Sequence, residues 1–113
     1  MNTFDGNVRG GIFHAHGFSC PLPGRPDGPI TLGIRPEQIQ LVDASAGDAI
    51  NFAVDVVELV EPDVLIFARS KADSLIVRTV NDDRAYDPGQ ALYLRFPPEA
   101  LHAFDAASGA RLP

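Results

Sequence analysis

The sequence is poor in several residue types, and each shortage excludes a class of protein. It has no tryptophan, a single cysteine (Cys20) and a single lysine (Lys71) among 113 residues. One cysteine rules out an internal disulfide framework and fits a reducing compartment. Lys71 is followed by alanine, so the chain lacks the G-x-x-x-x-G-K-[ST] loop that holds nucleotide phosphates. We therefore expect no ATP hydrolysis by this chain.

Basic charge and long apolar runs are also scarce. Nine basic residues stand against fifteen acidic ones, for a formal net charge of −6. Nucleic-acid binding needs clustered Lys and Arg to neutralise phosphates, so we predict no nucleic-acid partner. No stretch approaches the roughly 18–20 apolar residues that span a bilayer. The first residues, with Asp5 and no apolar core, do not resemble a signal peptide. Any membrane connection would run through a partner protein.

Turn-forming residues are abundant. Ten prolines and ten glycines favour many turns and short strands over long helices. The length fits one domain, covering residues 1–113. Apolar patterns predict strands or hairpins at 8–18, 30–34, 49–60, 64–69, 74–80 and 91–96. We recognise no internal repeat and no low-complexity segment.

The longest apolar run predicts a bent strand. Four residues follow period two along one face: Ile50, Phe52, Val54 and Val56. The apolar pattern then slips by one residue, to Val57 and Leu59, as a β-bulge would cause. We place this bulge at 56–58. The following strand, 64–69, is apolar on both faces, so it is either central or covered by a partner.

A rigid corner is predicted where an arginine precedes a proline. Pro36 cannot donate to a sheet ladder and biases Arg35 toward extended backbone. Ile39 and Leu41 then resume an alternating pattern. This stretch predicts a strand, a corner and a second extended run. Arg35 and Glu37 form either a local ion pair that steadies the bend or part of an interface.

Two motifs carry a resemblance to a known family. The segment Gly33-Ile34-Arg35-Pro36-Glu37 resembles the G-[IV]-R-P-E signature in the C-terminal regulatory domain of ABC importer ATPases of the maltose/sn-glycerol-3-phosphate (carbohydrate uptake) family. The tail resembles the closing segment of the same family at nine positions: Phe96, Pro98, Glu99, Leu101, His102, Phe104, Asp105, Gly109 and Arg111. The resemblance covers nearly the whole chain.

The middle of the chain resembles this family with two departures. Val56-Val57-Glu58-Leu59 is similar to its V-x-x-V-E run, and Met1-Asn2 to the exit from its ATPase domain. Glu61 stands where the family usually has glycine, so the hairpin there should differ in detail. Gln38 stands where histidine is common, which weakens any role for a histidine at the corner.

The resemblance implies a fold and a function. The fold is an all-β, OB-like (TOBE) barrel of about seven or eight mostly antiparallel strands with one short C-terminal helical turn, which Pro98 and Glu99 could open. The chain would be a non-catalytic regulatory and dimerisation domain that lacks its preceding ATPase domain. Its partners would be a second copy of the ATPase subunit, the membrane permease subunits through the ATPase domain and, in some members, a regulatory protein. It would lie at the cytoplasmic face of the inner membrane. ATP and Mg²⁺ are implied only for the missing ATPase domain.

Other chemistry is weakly supported, and we predict no catalytic, cofactor or metal site. His14 and His16 share a strand face at a spacing used in some metal sites. Cys20 with His102 could form a nucleophile and base, but no oxyanion-hole pattern accompanies them. The acidic loop lacks the order of oxygens found in calcium loops; its carboxylates are Asp82, Asp83 and Asp87.

The alternative function is a free-standing TOBE module that binds a small oxyanion. Such a pocket uses backbone amides, hydroxyls and often a lysine. The chain offers Gly10-Gly11, Ser19 and Ser70-Lys71, without a dense cluster. The acidic net charge disfavours anions, so we rank this function second.

Overall fold

The computed structural model describes all 113 residues, and it is built almost entirely from strands. The strands are β1 (Asn2–Arg9), β2 (Ile12–His14), β3 (Ser19–Pro21), β4 (Gly28–Ile34), β5 (Gln40–Leu41), β6 (Ile50–Val60), β7 (Asp63–Ser70), β8 (Asp73–Val80), β9 (Ala91–Arg95) and β10 (His102–Asp105). Two 3₁₀ turns span Pro36–Gln38 and Pro98–Ala100. The all-β prediction and the C-terminal helical turn are confirmed. There are ten strands rather than about seven or eight, because short strands complete each sheet.

The strands form two antiparallel sheets of five. The order is β10-β4-β1-β2-β3 in the first sheet and β5-β9-β6-β7-β8 in the second. In the first sheet β1, β2 and β3 form a meander, and β4 lies beside β1. In the second sheet β6, β7 and β8 form a meander, and β9 lies beside β6. The outermost position, beside β4 or β9, is then filled from the other half of the chain. β5 follows β4 but pairs with β9, and β10 follows β9 but pairs with β4.

The two halves of the chain have the same topology, although the sequence contains no recognisable repeat. Strands β1–β5 and β6–β10 trace the same path, and each half sends its last strand to the opposite sheet. The two crossings are made by the two 3₁₀ turns, each opened by proline followed by glutamate (Pro36-Glu37 and Pro98-Glu99). Few other residues match between the halves, which is why the sequence did not show the shared topology.

A single core joins the two sheets. Twenty-two buried apolar residues form one continuous cluster with members from both sheets. Half-buried Phe18 packs against this cluster, and its ring lies 4.9 Å from that of Phe4, 5.4 Å from Phe96 and 5.6 Å from Phe52. Phe4 belongs to the first sheet and Phe52 to the second. Aromatic contacts of this kind add to the stabilisation that burial provides.

The predicted bulge is present in β6, slightly earlier than expected. The register with β7 shifts between Val54 and Val56, so Asp55 is the extra residue. Val56 therefore turns away from the core and is 55% exposed, whereas Val54 is buried. The placement of Val56 on the core face was wrong, since the bulge precedes it.

The sheets are also joined by a close backbone contact. Gly17, between β2 and β3, donates its N–H to the buried carboxylate of Asp73, and Ser70 Oγ donates to Gly17 O at 2.8 Å. A Cβ on Gly17 would lie 2.0 Å from Ser70 O. Only glycine fits here, because the turn between β7 and β8 lies directly against it.

Candidate functional site

The corner after β4 is built as the sequence predicts. Arg35 is extended (φ −75°, ψ 143°), and Pro36 opens a 3₁₀ turn in which Gln38 N–H donates to Arg35 O at 3.0 Å. Ile34 and Ile39 are buried on either side of the turn. Two buried anchors and a proline therefore fix this corner and leave its charged residues at the surface.

Arg35 and Glu37 do not form the local ion pair that was one of the two readings of this corner. No nitrogen–oxygen contact within 4.0 Å joins them, and both residues are exposed. Glu37 instead lines a cleft between the corner and β8, beside Arg78 and Thr79. The interface reading of the corner therefore stays a prediction.

The cleft beside Glu37 has mixed charge. Arg78 is paired with Asp63 at 2.7 Å, and Arg84 with Asp82 at 3.6 Å. The guanidinium groups are thus already partnered, and the cleft is open to solvent. Such a surface suits polar contacts with another protein better than capture of a small anion.

The outward side of β6, β7 and β8 is an apolar strip, which we name the outer face. Its members share cross-strand positions in two rows: Val56, Phe67 and Ile76, then Glu58, Leu65 and Arg78. Val56 is exposed, while Phe67, Ile76 and Leu65 are half-buried. The prediction that β7 is apolar on both faces is confirmed. Asn2 and Thr3 of β1 lie beside Phe67 and Ile76 at one end of the outer face, and Glu37 lies beside Arg78.

β6 also has an open edge, which sequence reasoning missed. β9 pairs with β6 only from Ile50 to Ala53, whereas β7 pairs with it up to Val60. We name residues 56–60 the open edge. Val57 and Leu59 on it are 39% and 65% exposed. The phase slip in the sequence signalled a bulge here but not the end of pairing with β9.

The histidine candidates stand apart from other metal ligands. His14 is half-buried at the end of β2, and His16 is exposed beyond it. The structure contains no group of three or more His, Cys, Asp and Glu residues that could hold a metal ion. Two imidazoles without a third ligand make a poor zinc site.

The structure separates Cys20 from His102. They lie in β3 and β10, the opposite edge strands of the first sheet. Burial raises the pKa of the Cys20 thiol to about 12, so almost no thiolate is present at neutral pH. His102 Nδ1 lies 2.8 Å from an Arg111 guanidinium nitrogen. This pair cannot act as nucleophile and base.

The acidic loop after β8 is closed by its own hydrogen bonds. Asn81 Oδ1 accepts from Asp83 N–H, and Asp82 Oδ1 accepts from Arg84 N–H. Asp87 lies further on, where Gln90 Oε1 accepts from its N–H. These are turn contacts, and they do not gather the three carboxylates around one point.

The oxyanion candidates are also dispersed. Gly10 and Gly11 form the tight turn between β1 and β2, where Gly10 N–H already donates to Asp27 at 3.0 Å. Ser19 is exposed on β3, and Lys71 is exposed at the turn that follows β7. The Ser70 hydroxyl is used within the fold.

The largest groove lies between residues 24–30 and the chain terminus. It measures about 580 Å³ and is lined in part by Arg25, Asp27 and Asp105. Hydrogen bonds from Ser108 hold the pKa of Asp105 below its usual value, so this carboxylate is charged at neutral pH. Two carboxylates against one arginine make the groove unsuited to an oxyanion.

The fold defines an OB-like β-domain. The sequence matches the TOBE domain family over residues 32–104, and the chain belongs to that family. It is 31% identical over 96% of its length to the xylose/arabinose import ATP-binding protein XacK of Haloferax volcanii. It is 33% and 35% identical, over 94% and 99% of its length, to the sn-glycerol-3-phosphate import ATP-binding proteins UgpC of Salmonella typhi and Yersinia pestis.

These relatives confirm the resemblance to the TOBE domains of ABC importer ATPase subunits, in which the domain is non-catalytic. The chain spans about a third of their length (31% of XacK, 33% and 32% of the two UgpC proteins). Among solved structures, the cytoplasmic molybdate-binding protein ModG superposes with a TM-score of 0.72 at 11% identity, covering 90% of this chain and 94% of ModG. That likeness shows the fold. No helix here has the length and apolar composition needed to cross a membrane.

Proposed function

We propose that this chain is the regulatory and dimerisation domain of the ATPase subunit of an importer for sugars or related solutes. The observation that carries the proposal is the match to import ATP-binding proteins along 94–99% of the chain. Those proteins are about three times longer, which leaves room for an ATPase domain. ATP and Mg²⁺ would bind in that domain, because this chain has no phosphate-binding loop.

The domain would act by holding two ATPase subunits together. Its partners would be a second copy of the subunit and, through the ATPase domains, the permease subunits at the cytoplasmic face of the inner membrane. Val56 on the outer face and Arg35 and Glu37 at the corner are exposed residues that could contact another protein. An isologous contact needs a surface of this kind. A regulatory protein would use the same exposed surfaces.

The proposal is tested first by the reading frame around this chain. A P-loop and an acidic strand end encoded upstream would support it. Their absence would overturn it. The longer protein then allows the dimer to be measured by analytical ultracentrifugation.

The corner is tested within that dimer. Arg35→Ala and Glu37→Ala should each weaken self-association at least about threefold, because an interfacial charge loses its partner across the contact. Arg9→Ala is the matched control, since Arg9 is also exposed and unpaired. Unchanged association in both corner variants would remove the interface role while leaving the dimer itself standing.

Oxyanion binding is the second candidate, favoured by one observation. The fold is shared with ModG, a cytoplasmic molybdate-binding protein. Three features argue against it. The Ser70 hydroxyl already donates to Gly17 O, the Gly10-Gly11 turn does not form a cluster with the other candidate groups, and the net charge is −6. Calorimetric titration with molybdate, tungstate, sulfate and phosphate would decide. A saturable heat with any of them would bring this function forward.

A further inference from the structure

The open edge of β6 carries main-chain groups with no partner. The hairpin to β7 has a two-residue turn that closes on the pair Val60–Asp63. Such a turn closes on a hydrogen-bonded pair, and the pairs then alternate along the ladder. Val60 and Glu58 therefore bond to β7, whereas Val57 and Leu59 direct their N–H and C=O groups away from it. β9 does not reach this part of β6, so the two N–H groups and two C=O groups of Val57 and Leu59 have no strand beside them.

The bulge at Asp55 is what produces this arrangement. Before it, Val54 exchanges hydrogen bonds with Gly89 and Gln90, at the start of β9. After the extra residue β6 bends, and its last five residues, 56–60, pair with β7 alone. The exposed side chains along this segment are apolar: Val56 at 55%, Val57 at 39% and Leu59 at 65%.

The charge of the edge distinguishes between its possible occupants. The one charged residue within 56–60 is Glu58. Of the acidic residues that flank this segment, Asp55 is paired with Arg69 at 3.5 Å, and Glu61 has no ion-pair partner. A second copy paired antiparallel through Val57 and Leu59 would set Glu58 directly opposite its own copy. Like charges opposite each other on neighbouring strands are destabilising. A strand with Lys or Arg opposite Glu58 would instead gain a cross-strand ion pair.

We propose that the open edge is a strand-addition site for an extended segment of a partner protein. The segment has apolar residues opposite Val57 and Leu59 and a basic residue between them, opposite Glu58. Main-chain hydrogen bonds supply affinity in this mode of recognition, and alternate side chains supply specificity. Acidic residues on an edge also hinder edge-to-edge association of identical copies. The site thus admits a basic strand and disfavours another copy of the chain.

The test uses the 113-residue chain and a capped five-residue peptide of sequence Thr-Val-Lys-Val-Thr. Backbone amide spectra are recorded with peptide up to about 1 mM, which detects dissociation constants near that value. We expect saturable shifts in 56–60 and at least about twofold slower hydrogen exchange at Val57 and Leu59, because half of the chain is bound when the peptide concentration equals the dissociation constant. In the free chain these two amides should exchange faster than those of Glu58 and Val60, which bond to β7.

Two control peptides and one variant isolate the mechanism. Replacing the peptide's lysine with glutamate, or methylating the amides of its valines, should abolish the shifts. Leu59→Pro removes one outward N–H without touching the β7 ladder, and edge strands tolerate proline. It should lose binding at least about tenfold; if it does not fold, the methylated peptide still decides. Absence of binding, equal binding of either control peptide, or self-association through 56–60 overturns the proposal.

Discussion

The side-chain amide of Asn2 forms a two-hydrogen-bond pair with the backbone of Ile76. Asn2 Nδ2 donates to Ile76 O, and Ile76 N–H donates to Asn2 Oδ1, each at 2.9 Å. Asn2 thereby acts as a one-residue strand against the outer edge of β8, and it ties β1 of the first sheet to the second. Asn2 is buried, with 9% of its surface exposed. Buried amides of this kind are costly to leave unpaired.

Changing this amide to a carboxylate should destabilise the fold. At neutral pH Asn2→Asp keeps the acceptor but loses the donor, and a charge then faces Ile76 O. We expect a loss of about 1–3 kcal/mol in the free energy of unfolding, measured by urea denaturation. Asn7→Asp is the control, because Asn7 is exposed on the same strand. The difference between the variants should shrink at acid pH, where the protonated carboxyl can donate. Equal stabilities at pH 7 would contradict this.

Adding a methyl group at Gly17 should also be costly. Its Cβ would meet Ser70 O at 2.0 Å, so the turn after β7 must move. Overpacking of this kind costs about 1–3 kcal/mol, and Gly17→Ala should unfold at a correspondingly lower urea concentration. Gly47→Ala has open space around its Cβ and should be neutral or slightly stabilising. A similar midpoint for both variants would show that the two loops are not in contact.

The corner should owe its stability to burial rather than to charge. Ile39 is 5% exposed, whereas Glu37 is exposed and unpaired. Ile39→Ala should cost about 2–5 kcal/mol, and Glu37→Ala about 0.5 kcal/mol or less. Thermal and urea unfolding of the 113-residue chain check both values. If Glu37→Ala were the more damaging change, an internal contact of this carboxylate would be indicated.

Stability at high pH should report the buried thiol. Burial raises the pKa of Cys20 from 9.0 to about 12. Above pH 9 the unfolded chain loses the thiol proton while the folded chain keeps it, so the unfolded state binds fewer protons. The free energy of unfolding should therefore fall by about 1.4 kcal/mol per pH unit between pH 9 and 12. Below pH 9 both states keep the thiol proton, so the thiol causes no loss of stability there.

The matched variant for that measurement is Cys20→Ala, which lacks the titrating group. Subtracting its pH profile isolates the contribution of the thiol. Thiol reagents should also label the native chain only as fast as it unfolds. Rapid labelling at pH 8, with no difference between the two pH profiles, would place Cys20 at the surface.

The sequence was informative wherever local chemistry decides the structure. The Arg35-Pro36 corner and the two-faced strand β7 follow from local proline and alternation effects, and both were predicted. β1 was missed along most of its length because Asn2, Asp5 and Gly6 have low strand propensity; its pairing with β4 outweighs that propensity. β10 was also missed, because it is held in place by pairing with β4, which lies far away in the sequence.

The surfaces were harder to predict than the strands. Alternation showed that Val57 and Leu59 change phase, but it cannot show that β9 begins only at Ala91 and leaves them unpaired. The local ion pair considered for Arg35 and Glu37 was a reasonable expectation from spacing. The turn holds their backbone without it. The residues that lie opposite a given residue are set by the topology of the whole chain, so they cannot be predicted from one segment.

The exchange of last strands between the halves constrains how the protein is made. β4 leaves the ribosome before its outer neighbour β10, in which His102 pairs with Gly33 and Asp105 with Ile30. The ribosome must therefore release every strand from β5 to β10 before the first sheet can acquire its fifth strand. Until then β4 has a bare edge of its own. The first half can form its meander, but its sheet stays unfinished until the second half has been made.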